Sequence, residues 1–86
     1  MVHLDPNVNL WSLSSAELAA ACRSLAEDPD PIDSNIQAEA RLLLFSWRET
    51  LQMHGNRFDD RARKEAMLAA LRKRTIEITL KARAQA

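Results

Sequence analysis

Cysteine and histidine are the side chains best suited to covalent or metal chemistry, and this 86-residue sequence has one Cys and two His. A nucleophilic cysteine needs a histidine base beside it. His3 and His54 are 51 positions apart, and neither forms a local motif with Cys22. The three residues also lack the spacing of a zinc site. Cys22 lies on an apolar helical stripe, where a thiol usually packs as an inert side chain.

Acidic residues form the second candidate site, in the segment that contains Asp28, Asp30 and Asp33. Its two prolines, and the lack of the glycine and terminal glutamate of a calcium loop, argue against calcium binding. The sequence has a single glycine and therefore no glycine-rich phosphate loop. Because too few groups converge for catalysis, we expect a non-enzymatic protein without a metal or cofactor.

The zero formal charge hides an unequal distribution along the chain. Residues 1–56 hold three basic and eight acidic residues, a net of −5, whereas residues 57–86 hold nine basic and four acidic residues, a net of +5. The two halves could attract each other, form solvated helix faces, or offer a basic half to nucleic-acid phosphates. The residues that would form a charged rim or contact phosphates are Arg57, Arg61, Arg63, Arg72, Lys73 and Arg74. Nucleic-acid binding is the alternative function. It ranks second because the acidic half of the chain would repel phosphates.

Composition predicts a small all-α domain. Ala, Glu, Lys, Leu and Arg make up 44 of the 86 residues, against one Gly and three Pro, a bias typical of helical proteins. The longest stretch without a charged residue has 11 residues, from Pro6 to Ala16, which is far shorter than a membrane span. A single cysteine cannot form an internal disulfide, and we expect a cytoplasmic protein without a membrane partner.

Three helices are predicted from capping residues, helix breakers and apolar periodicity. Ser14 and Glu17 form a capping box, the prolines of the Asp28–Pro31 segment end the first helix, and Gly55 ends the second. The predicted single domain, residues 1–86, consists of an extended arm at 1–13 and helices at 14–27, 34–53 and 60–84. Residues 75–80 alternate like a strand, but the helical pattern continues through them. We expect the second and third helices to form a long antiparallel hairpin that dominates the fold.

Two tryptophans mark the arm and the second helix. The arm is apolar, so we expect it to lie across the helices and cap the core, with Trp11 buried. In the alternative interpretation, Trp11 anchors a partner. Trp47 lies on the main apolar face of the second helix and is predicted to be in the core.

The third helix carries two apolar stripes on nearly opposite sides. One consists of Lys64, Leu68, Leu71, Thr75, Ile78 and Ala82, and the other of Ala62, Ala66, Ala69, Lys73, Ile76 and Leu80. A helix of a monomeric bundle needs one stripe, so the second faces a partner or is covered by the N-terminal arm. The helix lengths also predict that the third helix overhangs near Leu80–Ala86. We expect a symmetric dimer through this helix.

The surplus apolar side chains define the predicted interface. It consists of Leu68, Leu71, Ile76, Ile78 and Leu80 on the third helix, with Leu42 and Phe45 on the second. These residues predict a small helical adaptor or regulator that forms a homodimer or docks on a larger protein as a subunit of an assembly. Replacing Ile78 with Glu should then split a dimer and leave most of the helicity.

Overall fold

The computed structural model describes residues 9–54 and 57–85 and contains three α-helices. They are α1 (Ser15–Ala26), α2 (Ser34–Leu51) and α3 (Phe58–Ala84), and a 3₁₀ turn at Leu10–Ser12 precedes them. The described residues contain no strand, and the prediction of an all-α domain is confirmed. Residues 75–80 are helical, because the strand-like alternation there coincides with a continuous helical pattern.

The three α-helices begin in different ways, and only the start of α1 has the predicted capping box. The Ser14 hydroxyl accepts a hydrogen bond from the Glu17 N–H, and the Glu17 carboxylate accepts one from the Ser14 N–H, both at 3.1 Å. The predicted capping box is therefore confirmed, and its hydrogen bonds lower the pKa of Glu17. The Asp33 carboxylate caps α2 by accepting hydrogen bonds from the N–H groups of Asn35 and Ile36. Arg57 is the N-cap residue of α3 and makes no side-chain cap hydrogen bond. The helix begins at Phe58, two residues before the predicted position 60. Gly55 lies outside the described residues.

The core is centred on Trp47, which is fully buried as predicted. Its indole N–H donates a 2.9 Å hydrogen bond to the Thr75 hydroxyl, and the Thr79 hydroxyl donates one of 2.7 Å to the Thr75 carbonyl. The surrounding apolar core consists of Leu10, Leu13, Leu18, Cys22, Ala26, Ile36, Ala40, Leu44, Leu71, Ile76 and Ile78. All three helices and the 3₁₀ turn contribute to this one cluster, so the chain needs every element to complete its core.

Contacts between α2 and α3 run in opposite order along the two helices. The Gln85 amide donates to the Asp33 carboxylate at 3.1 Å at one end, and the Lys64 ammonium donates to the Met53 carbonyl at 2.8 Å at the other. The end of α3 is therefore level with the start of α2, and the predicted overhang near Leu80–Ala86 is wrong. The overhang lies instead at the first turns of α3. No side chain in the fully described stretch Phe58–Ala70 is buried.

The described part of the N-terminal arm lies against α3 and contributes to the core. Leu10 and Leu13 are buried in the same cluster as Ile76. The Arg72 guanidinium donates to the Trp11 carbonyl at 3.4 Å and to the Ser15 hydroxyl at 3.5 Å, which fixes the arm against α3. The described part of the arm is a 3₁₀ turn rather than an extended segment, and residues 1–8 lie outside the described residues. The Trp11 side chain is 61% exposed, so the prediction that it is buried is wrong.

Thr50 offers a test of the core. Its hydroxyl is buried and has no hydrogen-bond partner among the described residues. Thr50→Val removes this unsatisfied group while keeping the shape of the side chain, so it should stabilise the domain by about 1 kcal/mol. Thr75→Val is the matched control, because it removes the acceptor of the Trp47 N–H and should cost about 1–3 kcal/mol. Urea unfolding of the wild type and both variants measures the free energies of unfolding. A Thr50→Val protein less stable than the wild type would contradict the prediction.

Candidate protein-interaction surface

Three of the predicted interface residues belong to the core. Leu71, Ile76 and Ile78 are 7%, 1% and 0% exposed, so assigning them to an interaction surface is wrong for this fold. Ile78 and Leu71 lie on the stripe of α3 that carries Thr75, the partner of Trp47. Ile76 lies on the other stripe and belongs to the same core cluster, which also includes Leu10 and Leu13 of the arm. The sequence showed that both stripes are apolar, but not that one chain buries residues from both.

Leu42 and Phe45, in contrast, lie on the outside of α2. They are 74% and 65% exposed. The helical period places Phe45 about 160° and Leu42 about 140° around the helix from the buried Trp47. Ala38, one turn before Leu42, is exposed as well. We call these three residues the outer α2 face. Nothing in the described part of the chain covers them, because they point away from α1 and α3.

Charged side chains border the outer α2 face. Arg41, Arg48 and Glu49 are all exposed on neighbouring positions of α2. The Arg41 guanidinium donates to the Ala26 carbonyl at 3.3 Å, which holds its stem along the bundle. A central apolar patch with a mixed polar rim is the composition of many protein–protein interfaces.

The remaining exposed part of the second stripe runs along α3. It consists of Ala62, Ala66, Ala69, Lys73 and Leu80, all exposed, and we call it the outer α3 strip. Leu80 is 49% exposed, whereas Leu68 beside the strip is half-buried against the core. The exposed strip therefore has fewer apolar residues than predicted, since Ile76 is buried in the core.

Two further aromatic residues are exposed, and the sequence pattern singled out only one of them, Trp11, as a candidate partner anchor. Phe58 is 85% exposed, and it was overlooked because the predicted helix began at position 60, which left Phe58 without a helical face. The exposed Trp11 forms one wall of a shallow groove of about 420 Å³ along α3. We call this the Trp11 groove. Its lining residues are Trp11, Ser15, Glu65, Leu68, Ala69, Arg72 and Lys73.

The six basic residues of the predicted rim do not form one face. Arg72 is held by the arm, and Arg74 forms ion pairs with Glu39 and, at 3.0 Å, with Glu77. The helical period places Arg61 and Arg72 on one side of α3, and Arg63 and Arg74 on nearly the opposite side. Arg57, Arg61, Arg63 and Lys73 are exposed. The Arg74–Glu39 pair links the basic half of the chain to its acidic half.

The candidate chemical groups are not brought together. The Cys22 thiol is buried and donates to the Ala40 carbonyl with an Sγ–O distance of 3.2 Å. Burial raises the pKa of this thiol to about 11. His54 is exposed beyond the end of α2, and His3 lies outside the described residues. In the ranges that the structure describes, no group of three or more His, Cys, Asp or Glu residues could hold a metal ion.

The raised pKa of Cys22 predicts a pH dependence. An unfolded thiol ionises near pH 9, whereas the folded one keeps its proton until about pH 11. The folded state then binds more protons in this window, so its contribution to stability is complete below pH 9 and is lost as pH rises towards 11. Denaturant unfolding at about pH 8 and about pH 10 should show this loss in the wild type and a smaller one in Cys22→Ala. Equal losses in both proteins would contradict the assignment.

A smaller cavity lies at the end of the bundle where α1, α2 and α3 meet. It has a volume of about 190 Å³ and is lined by the Pro31–Asp33 segment, Leu25, Ile36 and Ala82, among others. Asp33 closes it by accepting the Gln85 amide hydrogen bond, which is the main reason that the pKa of Asp33 is lowered. The Gln37 amide donates to the Asp28 carbonyl at 2.6 Å. These bonds hold the acidic loop against the bundle as a structural joint.

No family model, curated protein or solved structure matches this chain. Among the helices described, none combines the length and the apolar character needed to cross a membrane.

Proposed function

We propose that this protein is a non-enzymatic interaction module, a small helical adaptor or regulator that docks its outer α2 face on a partner protein. The observation that carries the proposal is the exposure of Leu42 and Phe45, 74% and 65%, on the side of α2 opposite the core. A leucine and a phenylalanine three positions apart present one continuous apolar ridge. This is the arrangement by which a helix face enters an apolar groove of a partner.

The energetic scale of this contact supports a specific interaction. Burying one large apolar side chain contributes roughly 1.5–3 kcal/mol, so the Leu42–Phe45 pair could form the centre of an interface. The rim of Arg41, Arg48 and Glu49 is exposed and would select a partner with charges of both signs around its groove. The partner is therefore a protein with an apolar groove and a polar edge.

Other features of the molecule fit this proposal better than the alternative. Within residues 9–54 and 57–85, a buried thiol and scattered acidic residues offer no convergent site for catalysis. Nucleic-acid binding gains no support, because Arg74 is paired with two carboxylates and the other basic residues of α3 lie on several sides. The single thiol is shielded in the core, which suits a protein of the reducing cytoplasm.

Site-specific photo-crosslinking in the producing cells tests the proposal. A photoreactive phenylalanine analogue at Phe45 should give one discrete covalent adduct, because the side chain would lie inside the interface. The same analogue at Ala16, which is exposed on α1, is the matched control and should give none. Leu42→Ser in the Phe45 analogue protein should abolish the adduct without changing the melting temperature, since position 42 is exposed. Equal adducts at positions 45 and 16 would refute the proposal.

A further inference from the structure

The first turns of α3 form an apolar projection whose charged neighbours are Asp59, Asp60 and the exposed Arg57 and Arg61. Phe58 has the largest exposure, 85%, of the large hydrophobic residues described, and Asp59 and Asp60 follow it in the first turn of the helix. The stretch Phe58–Ala70 contains no buried side chain. Isolated helical segments of this length are marginal in water. A second surface that packs on this stretch would stabilise it.

The Trp11 groove has the complementary character. Its floor is apolar, from Leu68 and Ala69, and Trp11 forms a wall that is 61% exposed. Arg72 and Lys73 at its edge outnumber its one carboxylate, Glu65. Phe58 is an apolar side chain with the Asp59 carboxylate beside it, which suits the apolar floor and the excess of basic residues at the edge of this groove.

Phe58 cannot reach the groove of its own chain. Phe58 and Ala69 are 11 residues apart on one continuous helix, a distance of about 16 Å along its axis. In an antiparallel pair of α3 helices, however, each Phe58 lies opposite the groove of the other chain. Ala62 and Ala66 lie between them on the outer α3 strip, and their small side chains permit close approach of the two helices. The patch is thus self-complementary, as a two-fold interface requires.

We infer that two copies of this chain pair antiparallel through α3, with Phe58 of each copy seated in the Trp11 groove of the other. This inference rests on the proposed function in making the chain an interaction module, but it uses a different surface. In this pairing Asp59 faces Lys73 of the partner subunit, and the contact occurs twice. The outer α2 face stays free in the dimer and remains available to another protein.

Sedimentation equilibrium of the full chain provides the first test. The wild type should be dimeric, and Phe58→Ser should raise its dissociation constant at least about tenfold, because an apolar anchor is lost. Phe45→Ser is the matched control and should leave the dissociation constant unchanged. Circular dichroism establishes that each variant keeps its helicity, which is expected since both positions are exposed.

A charge exchange provides the second test. Asp59→Lys and Lys73→Asp should each raise the dissociation constant, and the doubly changed chain should recover most of the loss. The two residues are 14 positions apart on α3, about 21 Å along the axis, so they cannot contact each other within one chain. Recovery in the doubly changed protein would therefore report a contact between two chains.

The outcomes separate this inference from the proposed function. A wild type that stays monomeric at high concentration would overturn the dimer, and a dimer that is insensitive to Phe58→Ser and to the charge exchange would overturn its geometry. In both cases a discrete adduct at Phe45 would still support the proposed function. Conversely, the absence of that adduct would refute the proposed function and leave the sedimentation result to decide the dimer.

Discussion

Trp47→Ala should strongly destabilise this domain. Trp47 is fully buried at the centre of the core, and its N–H satisfies the buried Thr75 hydroxyl. Truncating a buried tryptophan costs about 3–5 kcal/mol, and an 86-residue domain has a total stability of about 4–13 kcal/mol. Thermal and denaturant unfolding followed by circular dichroism measure the effect.

The second tryptophan provides the control for this experiment. Trp11→Ala removes the same side chain from a position that is 61% exposed, so its free energy of unfolding should stay within about 1 kcal/mol of the wild type. The Arg72 hydrogen bond goes to the Trp11 carbonyl and survives the substitution. Equal losses in the two variants would contradict the assignment of Trp47 as the centre of the core.

Ile78→Glu should unfold the chain rather than split a dimer. The apolar pattern alone predicts that this substitution leaves most of the helicity, because it assigns Ile78 to an interface. Its side chain is fully buried in the core of one chain, where an unpaired carboxylate would lose its hydration. We therefore expect loss of cooperative thermal unfolding near neutral pH. Burial should raise the pKa of the new carboxyl group, so helicity should recover partly as pH falls towards about 5.

Leu80→Glu separates a core effect from a surface effect. Leu80 is two residues further along α3 but 49% exposed, so a glutamate there stays hydrated. The expected change in melting temperature is small. If instead Ile78→Glu kept its melting temperature and halved the mass measured by light scattering, the position of Ile78 in the core would be wrong.

Local patterns in the sequence predicted the three α-helices, but not the 3₁₀ turn of the arm or the start of α3 at Phe58. The Ser14–Glu17 box predicted the start of α1 because both partners are three residues apart, and the prolines after Asp28 predicted its end. The burial of Trp47 and the inert packing of Cys22 followed from their places on apolar stripes. These features depend on neighbours within one or two helical turns, which a sequence displays directly.

The exposed surface was harder to predict. Leu42 and Phe45 were placed correctly outside the core, because they lie far around the helix from Trp47. The sequence pattern misplaces Ile76, since its burial depends on a core cluster that includes Leu10, Leu13 and Leu18, more than fifty residues away in the chain. The predicted overhang at the C-terminal end of α3 was also wrong. The hydrogen bond between Gln85 and Asp33 makes that end level with the start of α2, a tertiary contact that the sequence does not display.

The sequence by itself determined that the chain is helical, where its first helix is capped, and that it carries more apolar surface than one stripe per helix requires. Tertiary structure decided which part of that surface stays exposed. Periodicity assigns each residue to a side of its own helix, but burial depends on what packs against that side. Here Ile76 joins a core cluster with Leu10, Leu13 and residues of α1, whereas Trp11, Phe45 and Phe58 stay exposed.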